Sequence, residues 1–145
     1  MRYRFQPFEL DDNTVDLQPV LEVRIGHPLH SGMVSTRIEV LVDSGSTDCM
    51  FNAGVLRRLG LKLENGAQSG VIGISGKVEA QSFYHNVNLV VENQILRIKA
   101  AFVPGLCIGG VLGRRGFFEN FKVTFDLASR KSFEIERHVA GLVRP

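Results

Sequence analysis

The stretch Val40-Leu41-Val42-Asp43-Ser44-Gly45-Ser46-Thr47 decides how this chain is read. An apolar run delivers one carboxylate into a turn. The glycine of that turn lets backbone pass close to another chain, and its hydroxyls can hydrogen-bond carboxylates or the turn itself. The run ends a strand, because Ile38, Val40 and Val42 alternate with Arg37 and Glu39, which is the period of a half-buried strand. Upstream, Leu21, Val23 and Ile25 alternate with Glu22 and Arg24, and Gly26-His27-Pro28 through Ser31-Gly32 is turn chemistry. The two strands are expected to form a hairpin that ends at Asp43.

Downstream, Asn52 is placed to cap a short helix that runs to Leu59 and stops at Gly60. Strands are expected over residues 68–74, 77–84, 87–91 and 95–103, with a second short helix after Gly113. A final hairpin pairs residues 122–126 with 131–136 around Leu127-Ala128-Ser129. Short strands at this spacing imply an all-β fold, closed into a barrel or sandwiched, with one or two short helices. Residues 1–16, with Glu9, Asp11, Asp12 and Asp16, read as an N-terminal arm, residues 17–137 as one domain and residues 138–145 as a C-terminal tail.

A chain of 145 residues is long enough to bury a core without disulfides or metal. The net charge is +2, with Lys and Arg dispersed among Asp and Glu, so no basic stripe points to nucleic acid. Cys49 and Cys107 fall in no metal-binding spacing, and no cofactor or metal is implied. Free thiols in a reducing compartment are the simpler expectation. The N-terminal residues are basic without the apolar core of a signal peptide, and no apolar run approaches the roughly 20 residues that cross a bilayer. A soluble, cytoplasmic protein is therefore expected.

Two further segments carry chemistry. Gly70-Val71-Ile72-Gly73-Ile74-Ser75-Gly76-Lys77-Val78 sets β-prone flanks around a small-residue tip, a hairpin able to close over a bound chain and exclude water. Gly109-Gly110-Val111-Leu112-Gly113-Arg114 is a glycine-punctuated apolar strand feeding a helix. In this order, over residues 17–136, the three segments resemble the retropepsin-like aspartic peptidases, a single-lobe family that includes the retroviral proteases. The resemblance implies that Asp43 is catalytic, supported by Ser44, Gly45, Ser46 and Thr47. It makes Ile72, Gly73, Ile74, Ser75 and Gly76 the flap, and it seats the Val111-to-Arg114 segment beneath the catalytic turn. Leu106 and Val111 join Ile72 and Ile74 as candidate pocket walls. The family pairs its Arg with an Asp after the turn, so Asp48 and Arg114 are a candidate structural pair, although Asp48 stands one residue later than in the retroviral pattern.

Hydrolysing a peptide without metal or covalent nucleophile needs one group to take a proton from water and another to give one to the carbonyl oxygen. Two carboxylates sharing a proton do both, because like charges in contact cannot both ionise. Only Asp43 stands before Ser/Thr-Gly at the end of an apolar strand; Asp11, Asp12, Asp16, Asp48 and Asp126 do not. The expectation is therefore an isologous homodimer with a shared Asp43 dyad, cutting an extended polypeptide that pairs with Gly45 and the flap strands. The alternative is a non-proteolytic module of the same fold that dimerises or binds protein.

Competing motifs are weaker. The flap segment fails a phosphate-loop spacing at Val71 and Val78, and it lacks Gly-x-Ser-x-Gly. Cys49 would be a nucleophile only if His27, His30, His85 or His138 reached it, and a buried thiol is the better reading. His27 and His30 are expected to be solvated. Phe117, Phe118, Phe121 and Phe125 lie at core spacings and are assigned to packing.

Overall fold

The alternation upstream of Asp43 sets the geometry of the whole chain. The computed structural model describes residues 1–72 and 76–138. In chain order the elements are β1 (Arg2–Arg4), β2 (Gln6–Glu9), β3 (Val15–Gln18), β4 (Val20–Gly26), β5 (Ile38–Val42) and β6 (Met50–Asn52). The short helix α1 (Gly54–Arg58) and a 3-10 turn (Leu63–Asn65) follow. Then come β7 (Ala67–Ile72), β8 (Val78–Val91), β9 (Gln94–Val103), β10 (Gly110–Leu112), β11 (Phe121–Asp126) and β12 (Ser132–Arg137).

The β4–β5 hairpin forms as expected, with Leu21 opposite Val40 and Val23 opposite Ile38. Strand pairing then runs β4, β5, β10, β6, β9, β8 and returns to β4 through Arg24 with Val90 and Ile25 with Leu89, closing a six-stranded barrel on which β7 hangs from β8. Closure removes free edges from the wall. Inward positions fill the barrel: Val23, Ile25, Val40, Phe51, Val87, Leu89, Phe102 and Leu112 are all buried in one core. Each such side chain contributes about 1.5–3 kcal/mol by leaving water. Leu56 and Leu59 join that core from α1 and its end, and Gly60, at φ +71°, stops the helix as expected. Asn52 sits one residue before the N-cap position, and its Oδ1 accepts the Gly54 N–H at 2.9 Å.

Four expectations need correction. Residues 77–84 and 87–91 form one strand, β8, because the polar Asn86 and Asn88 stand opposite Lys99 and Arg97 on the outer face while Val87 and Leu89 point inward. No helix follows Gly113. Gly116, at φ +95°, leaves the helical region, so residues 116–120 form turns. Residues 1–16 contain strands that the sequence reading did not anticipate. Strand β1 pairs with β12, placing Tyr3 opposite Phe133 in a three-stranded sheet β1-β12-β11, and β2 pairs with β3 as a separate hairpin. Phe117 and Phe121 stack in the core, but Phe125 is largely exposed, touching Phe5 and Phe133 on the terminal sheet.

Candidate active site

Asp43 leaves β5 at a junction where three chain segments meet. One residue earlier, the Val42 N–H donates to Pro19 O at 2.9 Å, and the Asp43 N–H itself donates to Leu112 O of β10 at 3.0 Å. The turn then closes on itself, with Ser46 N–H donating to Asp43 O at 3.2 Å and Gly45 N–H donating to the carboxylate Oδ1 at 2.8 Å. Among the described residues nothing else is bonded to that carboxylate, which stands half-buried with Oδ2 open. The arrangement orients a carboxylate outward and leaves it one oxygen for proton transfer.

The segment after β10 clamps the turn from below. Arg114 N–H donates to Ser46 O at 2.9 Å and Arg115 N–H to Thr47 O at 2.8 Å. The Arg114 guanidinium donates to Ser44 O at 2.7 Å and to Thr47 Oγ1 at 3.2 Å. This close approach requires Gly113: a Cβ there would meet Asp48 O at 2.3 Å and Ser46 O at 2.8 Å. Ser46 Oγ donates to Asp48 O at 2.8 Å, a further tie within the turn.

The structure separates the expected pair of Asp48 and Arg114. Arg114 is spent on the turn, whereas Asp48 Oδ2 accepts the Tyr84 hydroxyl at 2.7 Å. That hydrogen bond, more than burial, raises the Tyr84 hydroxyl above its ordinary range, and Lys99 Nζ lies 5.2 Å from the Tyr84 ring centre. At Arg114 the Ser44 carbonyl and the neutral Thr47 hydroxyl accept from the guanidinium without supplying a countercharge.

Val111 is buried but stands outside the core cluster that holds Leu112. Register puts Val111 beside Leu41 and Met50, Met50 beside Ala101 and Ala101 beside Tyr84, an apolar row across five strands next to the turn. Met50 and Tyr84 were missed in the sequence. In β6, Phe51 is buried between half-buried Met50 and Asn52, so Met50 lies on the opposite face of the strand from the core. Leu106 is half-buried, and its carbonyl accepts Asn52 Nδ2 at 2.7 Å. Strands β7 and β8 of the expected flap pair from Ala67 with Tyr84 to Ile72 with Val78; Gly73, Ile74 and Ser75, and the Ile72 side chain, lie outside the described residues.

Other candidate chemistry recedes. Cys49 is buried with Sγ bonded to Arg115 O at 3.3 Å, and burial pushes its thiol up to about 11, the opposite of an activated nucleophile. His85 Nε2 is bonded to Leu63 O at 2.9 Å. His27 is buried and not solvated, because its Nδ1 accepts the N–H groups of Leu29 and His30 and so caps the turn. Among the described residues no group of three or more His, Cys, Asp or Glu is placed to hold a metal ion. A cavity of about 710 Å3 lies beside β1, lined by Tyr3, Arg4, Glu22, Arg37 and Glu92, but no residue of the Asp43 turn lines it.

Residues 22–115, well over half of the chain and including the whole of this turn and its clamp, match the model of the family described as "Aspartyl protease". The chain belongs to the aspartyl protease family. The fold of this family member is retropepsin-like: a retropepsin-like aspartic protease from Rickettsia conorii superposes with a TM-score of 0.56 at 16% identity, covering 94% of this chain and 98% of that one. EIAV protease bound to the inhibitor HBY-793 matches with a TM-score of 0.46 at 21% identity over 67% of this chain and 82% of that one. The retroviral protease-like domain of Ddi1 from Leishmania major matches with a TM-score of 0.48 at 12% identity over 75% and 82%. No protein of curated function matches the chain. Family and fold together support a peptidase-type function for this aspartyl protease.

Proposed function

We propose that the chain is an aspartic endopeptidase that works as a homodimer, with the Asp43 side chains of two copies forming the catalytic dyad. The observation that carries this reading is the Asp43 turn, where a carboxylate is fixed through Oδ1 by the Gly45 N–H and open at Oδ2. The other aspartates serve elsewhere. Asp12 accepts from Thr14, Asp16 from Gln18, Asp126 from Ser129 and Asp48 from Tyr84, while Asp11 sits in the turn between β2 and β3. One aspartate per chain in such a turn makes the second copy the source of the other.

In the dyad one ionised Asp43 takes a proton from water as it attacks the scissile carbonyl, and the protonated partner gives its proton to the carbonyl oxygen. An extended substrate pairs its backbone with the Gly45 region and the β7–β8 hairpin. The row containing Leu41, Val111 and Met50 favours apolar side chains beside the cleaved bond.

Replacing Asp43 with Asn removes the general base while preserving the shape of the turn. Cleavage of a library of apolar peptides at acidic to neutral pH is expected to fall at least about 10²-fold, with the dimer unchanged in sedimentation. Substantial cleavage by that variant overturns the assignment. A dimer that cuts nothing at any pH and ignores pepstatin-like inhibitors would instead identify a binding module.

A further inference from the structure

The β2–β3 hairpin has no role in the barrel. Its tip is well built: Leu10 N–H donates to Thr14 O at 2.9 Å, Asn13 N–H to Leu10 O at 3.0 Å and Thr14 N–H to Asp12 Oδ1 at 3.0 Å. Among the described residues, however, neither strand packs extensively on any other element. Phe8, Leu10 and Val15 are 40%, 46% and 59% exposed. An isolated two-stranded hairpin is marginally stable in water, so an ordered one that displays apolar side chains needs a cover.

Its root identifies the cover. β3 ends at Gln18, and the next residue, Pro19, accepts the Val42 N–H at 2.9 Å, one residue before Asp43. The hairpin therefore springs from the edge of the catalytic turn. If two Asp43 side chains meet across a twofold axis, the roots of both hairpins lie beside that axis, and each hairpin reaches the other copy. Charge agrees. Residues 6–18 contain Glu9, Asp11, Asp12 and Asp16 and no Lys or Arg, so the rest of this +2 chain is net basic, with Arg114 and Arg115 exposed beside the turn.

We infer that the β2–β3 hairpin is a dimerisation arm that packs Phe8, Leu10 and Val15 on a second copy of this chain and lays its acidic tip against that copy's basic catalytic-turn face. The inference rests on the symmetric-dyad reading and deepens it, because the arm would hold together the two half-sites that chemistry requires. Gln6 and Gln18 are already register partners, so residues 7–17 can be replaced by Asn-Gly, which closes a two-residue hairpin. A second variant, Phe8→Ser with Leu10→Ser and Val15→Ser, keeps the hairpin and removes only its apolar contacts.

Sedimentation over a dilution series, with circular dichroism to confirm folding, measures the dimer dissociation constant of each variant and of the wild type. Both variants are expected to dissociate about tenfold more readily or worse, with cleavage recovering as concentration rises. A wild-type dimer whose dissociation constant is unchanged in both variants overturns the arm and leaves the dyad standing. Faster cleavage at an unchanged dissociation constant also overturns it, by showing that the hairpin covers its own cleft. A wild type that cleaves peptides while remaining monomeric throughout overturns the dyad, and the arm falls with it.

Discussion

The Asp43 turn and the terminal sheet are held in opposite ways. At the turn, Ser44, Gly45 and Thr47 are exposed, and position comes from backbone hydrogen bonds, one guanidinium and the contact that Gly113 permits. In the terminal sheet, position comes from rings: Tyr3 stacks on Phe133 at 5.4 Å, Phe5 meets it edge-on at 5.8 Å, and Phe133 is fully buried. Hydrogen bonds with close backbone contact fix a direction while leaving a group open to solvent. Aromatic packing adds stability without aiming anything. The turn should therefore fail when an atom is added, and the sheet when atoms are removed.

Phe133→Ala tests the sheet and should have the largest effect on stability, lowering it by about 3–5 kcal/mol in urea unfolding. Cleavage per folded molecule should stay near wild type; a loss exceeding the unfolded fraction would break the contrast. Gly113→Ala tests the turn. One methyl forced against Asp48 O should cost about 1–3 kcal/mol and should reduce cleavage out of proportion to unfolding. Equal losses of both would mean that the clamp carries stability alone.

The smallest effect is electrostatic and belongs to the sheet. Arg2 Nε and Nη2 both reach Glu134 Oε1, at 2.8 and 2.6 Å, joining β1 to β12. That hydrogen bond holds the Glu134 carboxyl below its ordinary value of 4.5. The contribution is complete above that value and is lost as pH falls through the lower folded one. Melting temperatures of wild type and Glu134→Gln should therefore differ slightly near neutrality and converge in acid. A difference that grows in acid would contradict the assignment.

Where the sequence was legible, the signal was local. The alternation in residues 20–25 and 37–42 and the glycine at position 60 report on neighbours a few residues away, and they led to β4, β5 and the end of α1. The three segments around Asp43, Gly73 and Gly113 led to the family because their order is itself a pattern. What stayed hidden depended on distant partners. Nothing in Arg2-Tyr3-Arg4 announces pairing with Ser132-Phe133-Glu134. Asp48 turns to Tyr84 because β8 brings that hydroxyl within reach, and the helix expected after Gly113 is interrupted at Gly116, whose φ of +95° lies outside the helical region.

The two thiols described above differ in a way that is useful at the bench. Cys49 is sealed in the core with its thiol pushed up to about 11, whereas Cys107 is exposed on the loop that leads into β10. A maleimide at neutral pH should attach once per folded molecule and only at Cys107, giving a single spectroscopic reporter on the loop before β10 without the removal of a single native residue.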